Sequence, residues 1–227
     1  TPTPPASQQT TATRIQDPLT APPVPAAPVR FSGPISYAVP FTPQAPFGVW
    51  DETFKEACEE ASVLMAMRWA RGRTLSVQQA EQQIKAMAAW QKKKYGGYID
   101  TSASDTAERL IKGYAGYKNV EVRYDVSVED VKIELAQGNL VLVPVNGRLL
   151  QNPNFTRPGP LQHMLLIRGY DDSTREFITN DPGTRRGKGY RYPYDVLFAA
   201  MRDYPTGDHE EIKEIRKAMI VVTPIDF

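Results

Sequence analysis

The order in which helical and extended patterns follow one another constrains this chain most. Ala57, Ala61, Leu64, Met65 and Trp69 recur at helical spacing, so a helix is expected from about Thr53 to Arg71, stopped by Gly72. Ser76 with Gln79 three residues on makes a capping-box pattern that opens a second helix running to about Lys94. Tyr95-Gly96-Gly97-Tyr98 breaks it, and a shorter helix follows over about Ser104 to Tyr114. Beyond Val120 the pattern changes to short apolar or β-branched runs divided by turn residues: 120–124, 140–145, 164–169, 176–179, 189–192 and 218–223. Short helices are expected after the Ser127-Val128-Glu129-Asp130 cap and over about Tyr194 to Asp203. Ala38 to Phe41 reads as a short edge strand, because Pro40 is tolerated only at an edge. Helices first and antiparallel strands second predict an α+β domain with segregated layers, the N-terminal helical half packed on a C-terminal sheet.

The 227 residues leave room for one such domain and a tail. Residues 1–36 are dense in Pro, Thr, Ala, Ser and Gln, and carry too few large apolar groups to offset their ordering entropy. They are expected to form a disordered, semi-rigid spacer, with the folded domain spanning 37–227. A spacer of this kind suits a domain held at an envelope or wall, so an extracytoplasmic, secreted or tethered bacterial protein is expected, and the opening Thr1 suggests that targeting signals have been removed. The 27 Lys+Arg and 26 Asp+Glu nearly cancel, which argues against a nucleic-acid partner. No apolar run approaches the roughly 18 residues that a membrane span needs. A monomer acting on a peptide or protein, with no cofactor and no metal, is the expectation.

One cysteine excludes an internal disulfide and a thiolate-built zinc site, and the two histidines, His163 and His209, have no carboxylates at ligand spacing. A lone thiol is either a small buried hydrophobe or a nucleophile. A nucleophile needs a thiolate, a base and donors for the developing oxyanion. Cys58 falls near the start of the first helix, where free N–H groups lower a thiol pKa. Glu59 and Glu60 would raise it, but neighbours at i+1 and i+2 do not share a helical face, so both are expected to point away. His163 opens the apolar strand that runs to Tyr170. A hairpin turning at Asp171-Asp172-Ser173 would bring its open ends together and set Asp181 or Asn180 beside His163, where a carboxylate fixes the imidazole tautomer. Gln44, in a loop before Cys58, carries an amide able to donate to an oxyanion along with the Cys58 N–H.

These four positions, in this order, resemble the bacterial papain-like cysteine peptidases of the C39 kind, which include the double-glycine leader peptidases and their stand-alone relatives. Val39-Pro40-Phe41-Thr42-Pro43-Gln44 resembles the opening motif, Ala57-Cys58-Glu59-Glu60-Ala61-Ser62 the nucleophile helix, His163 to Tyr170 the histidine strand and Asn180-Asp181-Pro182 the Asp-Pro end. The resemblance implies that Cys58 attacks the scissile carbonyl, His163 shuttles the proton, Asp181 orients His163 and Gln44 helps form the oxyanion hole. Relatives often carry Cys-Gly-Pro, or Gly just before Cys, where this chain has Ala57 before and Glu59-Glu60 after. Hydrolysis of a peptide or isopeptide bond through a thioester is the leading reading. A transglutaminase-like acyl transfer, an inert papain-fold binding module and a Cys-His wall peptidase are its rivals.

Other features read as ordinary. Gly183-Thr184-Arg185-Arg186-Gly187-Lys188-Gly189 is one residue short of a phosphate loop and is expected to be a basic surface turn. Asn154-Phe155-Thr156 is a triplet common by chance, and His209 sits in a polar stretch expected to be solvated. Arg148, Arg157 and Tyr190 are candidates to line the cleft.

Overall fold

A computed structural model describes Thr1, residues 33–207 and residues 209–225. The expected spacer lies, for residues 2–32, outside the described residues. The described residues from 33 onward form one compact unit. Its strands are β1 (Ile35–Ser36), β2 (Val120–Tyr124), β3 (Leu140–Val145), β4 (His163–Asp171), β5 (Glu176–Asn180), β6 (Lys188–Pro193) and β7 (Ala218–Val222). All pairings are antiparallel, in the order β2-β7-β3-β4-β5-β6, with β1 paired to β4.

The helices are α1 (Cys58–Ala70), α2 (Val77–Tyr95), α3 (Ala103–Asp105, continued by a π-helical stretch over Thr106–Tyr114), α4 (Val128–Ala136) and α5 (Tyr194–Ala200). Ser76 and Gln79 cap each other at the start of α2, and Ser127 with Asp130 does the same for α4. The last turn of α2 ends on Gly96 in the left-handed conformation.

The buried residues form two apolar clusters, one on each face of the sheet. Alternation along β3 sends Leu140 and Leu142 into the cluster with α1, α2 and the π-helical stretch, and Val141, Val143 and Val145 into the cluster with α4 and α5. Covering both faces explains why β3, β4 and β7 are buried almost throughout rather than alternating with exposed positions. The expected helical half is the first of these layers; the second was foreshadowed only by the two short helices.

Two boundaries differ from expectation. Ala38–Phe41 is not a strand. Pairing stops at Ser36 opposite Gly169 and Tyr37 N–H on the Arg168 carbonyl, and the chain then runs as a loop through Pro40, which has no N–H to offer a neighbour. The pairing of Ile35 and Ser36 also carries ordered structure ahead of Tyr37. The helix expected from Thr53 is two pieces, a 3-10 turn at Phe54–Glu56 and α1, divided at Ala57 (φ −111°, ψ 28°). That break makes Cys58 the first residue of α1.

Glu59 and Glu60 are both buried in the opening turn of α1. Burial pushes the Glu59 carboxyl up to about 8, and the nearby Asp100 charge adds to it. Burial also pushes Glu60 well up, helped by the Glu59 charge and opposed by the Gln91 amide, which donates to Oε1 at 2.8 Å. A raised carboxyl pKa means that the folded chain keeps protons the unfolded chain releases above roughly pH 4.3, so stability falls as pH rises. Glu60→Gln keeps the oxygen that Gln91 donates to and removes the ionisation. Thermal unfolding should show the variant close to wild type at pH 5 and more stable at pH 8 to 9; an unchanged pH slope would contradict a protonated Glu60 in the fold.

Candidate active site

The sulfur and the imidazole reach one cleft from opposite halves of the chain. Ser62, one helical turn after Cys58, donates its hydroxyl to the Met164 carbonyl at 3.0 Å, locking the opening of α1 against the residue next to His163. The Met164 backbone also acts on the Cys58 thiol, favouring its ionised form. Cys58 and His163 both line a cleft of about 750 Å³ together with Gln44, Gln162 and Phe155.

The hairpin delivers the carboxylate as its geometry implies. β4 and β5 pair from Asp171 opposite Glu176 back to Leu166 opposite Asn180, and beyond that open end His163 Nε2 meets Asp181 Oδ1 at 2.8 Å. Asp181 is fully buried. Burial pushes its carboxyl up, but the charge and hydrogen bond of His163, the Tyr192 hydroxyl at 2.6 Å from Oδ2 and the Gly183 N–H at 2.9 Å from Oδ1 hold it below the ordinary value. Asn152 in turn donates to the Tyr192 hydroxyl at 2.6 Å. Since Nε2 is taken by Asp181, Nδ1 is the ring nitrogen left to exchange protons with a thiol.

Two glycines make room for this arrangement. A Cβ on Gly183 would stand 3.0 Å from His163 Cε1 and 2.9 Å from Phe155 Cε1, in the space where Phe155 packs edge-on against the imidazole at 5.5 Å between ring centres. A Cβ on Gly187 would overlap the Asp181 carbonyl, and the Gly187 carbonyl accepts the Asp181 N–H at 3.0 Å. The basic turn thus wraps tightly around the carboxylate, and its Thr184, Arg185 and Arg186 side chains line the cleft.

Cys58 is 6 % exposed. Its thiol donates to Glu59 Oε2 at 3.1 Å, so Glu59 does not point away from the sulfur as helical spacing suggested. The i+1 rule describes side chains along a regular helix surface; at the first residue, after the Ala57 break, the two side chains converge in the same buried space. Burial pushes the Cys58 thiol well above its ordinary value, the Glu59 charge and hydrogen bond and the Asp100 charge add to that, and the Met164 backbone pulls the other way. The position at the helix start matches the sequence reading, while burial first and the acids beside it second raise the thiol pKa instead of lowering it.

Gln44 lines the cleft, and its backbone N–H is tied to the Pro182 carbonyl at 2.9 Å, joining the loop before Cys58 to the Asp181 turn. Its side-chain Nε2 faces two acceptors, the Phe54 carbonyl at 2.9 Å and the Lys55 carbonyl at 3.0 Å. Both amide hydrogens are therefore spent on the turn that leads into Cys58, and Gln44 positions that turn; to donate to an oxyanion it has to release one of them.

Sequence reasoning missed Tyr192, Asn152 and Phe155, all of which act on the imidazole or its carboxylate through the fold rather than through a local pattern. It dismissed His209, which is 61 % exposed yet lines the cleft with its Nδ1 2.8 Å from Asp100 Oδ2. Arg148, Arg157 and Tyr190 are not among the cleft-lining residues; the basic residues there are Lys55, Arg185 and Arg186. Among the described residues no helix is long and apolar enough to cross a membrane.

A crystal structure from Bacillus anthracis, of a protein described as a C39-like peptidase, superposes with a TM-score of 0.55 at 16% identity, covering 86% of this chain and all of that one. The peptidase domain of Streptococcus ComA, a bifunctional ABC transporter of a quorum-sensing pathway, superposes at 0.46 with 14% identity over 82% of this chain and 98% of its own. Xylellain, a cysteine protease from Xylella fastidiosa, does so at 0.44 with 16% identity over 91% of each chain. A comparison with curated protein sequences gave no match. The Bacillus likeness shows the fold, a papain-like α+β domain with helices on an antiparallel sheet. Residues 37–207 match the sequence model of the Peptidase_C39 like family, and the chain belongs to that family.

Proposed function

We propose that the chain is a cysteine peptidase that hydrolyses peptide or isopeptide bonds, with Cys58 as nucleophile, His163 as base and Asp181 as the group that orients it. The observation that carries this reading is that Cys58 and His163 line one cleft while the far side of the imidazole is bonded to a buried carboxylate. In the proposed cycle the Cys58 proton passes to His163 Nδ1 and the sulfur adds to the substrate carbonyl. The oxyanion is met by the Cys58 N–H, which as the first of α1 has no acceptor within the helix, and by one hydrogen of Gln44 released from its carbonyl partners. The imidazolium returns the proton to the departing amine, leaving a thioester on Cys58. Water, deprotonated by the same imidazole, then releases the acid and regenerates the thiol.

The cleft suits a peptide whose side chains meet apolar and basic walls. Trp50 lines it from the loop that also exposes Phe47 and Val49, and Arg185 and Arg186 line it from the turn after Asp181. Holding the domain at an envelope through residues 1–36 belongs to the same proposal, and its support is the composition of that segment alone.

Glu59 sets the pH behaviour of the thiol. With its carboxyl at about 8, it is mostly neutral at pH 7 and adds little negative charge to the sulfur; above pH 8 it ionises and opposes the thiolate.

Digestion of a mixed peptide library, read by mass spectrometry, tests the assignment. Cys58→Ala and His163→Ala should abolish cleavage with the fold retained, and Asp181→Asn should lose less, roughly 10² to 10⁴-fold. Cleavage that survives Cys58→Ala would overturn the reading, and products joined to an added amine instead of free acids would favour acyl transfer. In alkylation rates followed across pH, Glu59→Gln should match wild type near pH 7 and pull ahead above pH 8. Superposable profiles would show that Glu59 does not govern the thiol.

A further inference from the structure

Beyond the thiol and imidazole, the same cleft holds a second set of donor groups that the peptidase reading does not use. Glu56 is the last residue of the 3-10 turn before Cys58, Asp100 lies in the loop between α2 and α3, and His209 comes from the segment between α5 and β7. One ligand atom from each lies within 4.8 Å of the others, and all three residues line the cleft. No ligand spacing is visible along the chain because tertiary structure brings the three positions together.

The segment that carries His209 is clamped to the Asp100 loop. The Gly207 N–H donates to the Asp100 carbonyl at 3.0 Å and the Ser102 N–H to Thr206 Oγ1 at 3.0 Å. The Ala103 N–H donates to Asp203 Oδ1 at 2.8 Å, and the Thr206 hydroxyl to Asp105 Oδ2 at 2.5 Å. The placement of His209 over Asp100 therefore follows from the backbone around it.

Asp100 supplies the independent sign of a ligand. It is 5 % exposed, and its Oδ2 is buried with no hydrogen bond directed at it. That oxygen lies 2.8 Å from His209 Nδ1, but off the line a hydrogen bond needs. His209 Nε2 lies 3.9 Å from Glu56 Oε2. A buried carboxylate oxygen without a donor is costly, and a cation held between it and an imidazole satisfies it.

We propose that Glu56, Asp100 and His209 form a binding site for a divalent transition-metal cation, with Zn²⁺ the ion the donors fit best. One imidazole and two carboxylates are the donor types of zinc sites that keep an open position, whereas Ca²⁺ and Mg²⁺ favour oxygen alone. Ligand atoms at about 2.0–2.2 Å from zinc lie closer together than 4.8 Å, and the half-buried Glu56 and exposed His209 side chains can close that gap while Asp100 stays fixed. An ion there would sit in the same cleft as Cys58 and His163.

Titration calorimetry of the whole chain with Zn²⁺ tests the site without any need for turnover, so its outcome is separate from that of the peptidase assignment. One ion per chain should bind with Kd on the order of 1 µM, against no measurable heat with Mg²⁺. Cys58→Ala should bind as wild type does, which separates this site from a thiolate-imidazole one. His209→Ala, a change at an exposed side chain, should weaken binding at least about tenfold, and Asp100→Asn should do the same. Absence of Zn²⁺ binding, binding lost with Cys58→Ala, or binding unchanged in His209→Ala would overturn the proposal.

Discussion

The contact on which the site depends is the crossing of α1 over β4 at Ser62 and Met164. A single hydroxyl-to-carbonyl hydrogen bond, in the buried layer between helix and sheet, fixes the height of α1 along the strand. One turn earlier on the helix is Cys58, and one residue earlier on the strand is His163. The residues around that crossing, Ala61, Met65, Met164 and Leu166, are buried in the same apolar cluster. Close packing resists small slides, so the relation of sulfur to imidazole is set by core geometry rather than by the loops around the cleft. The other side of the imidazole is set in the same way, by a hairpin whose open end places a buried carboxylate on Nε2, with Tyr192 and Asn152 behind it.

The electrostatics of the proposed nucleophile run against the simplest picture of a cysteine activated by a helix start. Cys58 does occupy the first position of α1, yet burial raises its thiol pKa, its S–H donates to Glu59, and the charges of Glu59 and Asp100 add to the rise. Burial raises Glu59 to about 8, so the acid nearest the sulfur stays largely protonated near neutral pH. Burying two adjacent glutamates in the first turn costs stability in its alkaline range, and the Gln91 bond to Glu60 offsets only part of that. The site is therefore one where local rules of stability yield to the arrangement of charge.

Much of this was legible in the sequence. Cap patterns located α2 and α4, and short apolar runs located six of the strands, because cap chemistry is local, as Ser76 with Gln79 shows, and those strands bury one or both faces. The approach of Asp181 to His163 was legible as well, since a hairpin turning after Asp171 leaves few places for its ends. The break at Ala57 was not, because Ala is the best helix former and the turn there accompanies the packing of Phe54 and the Gln44 bonds to two carbonyls, which no local pattern shows. Glu59 was misjudged for the same reason. Tyr192, Phe155, Asp100 and His209 belong to no local catalytic pattern; only the folded chain brings Phe155, Asp100 and His209 to the cleft and Tyr192 onto Asp181 behind it.

The most direct test of the central claim is the covalent intermediate. Acid quenching during turnover, followed by intact-mass measurement and peptide mapping, should find the acyl half of the substrate on Cys58 as an adduct removed by hydroxylamine. Turnover that proceeds with no such adduct, or with one on another residue, would contradict the account.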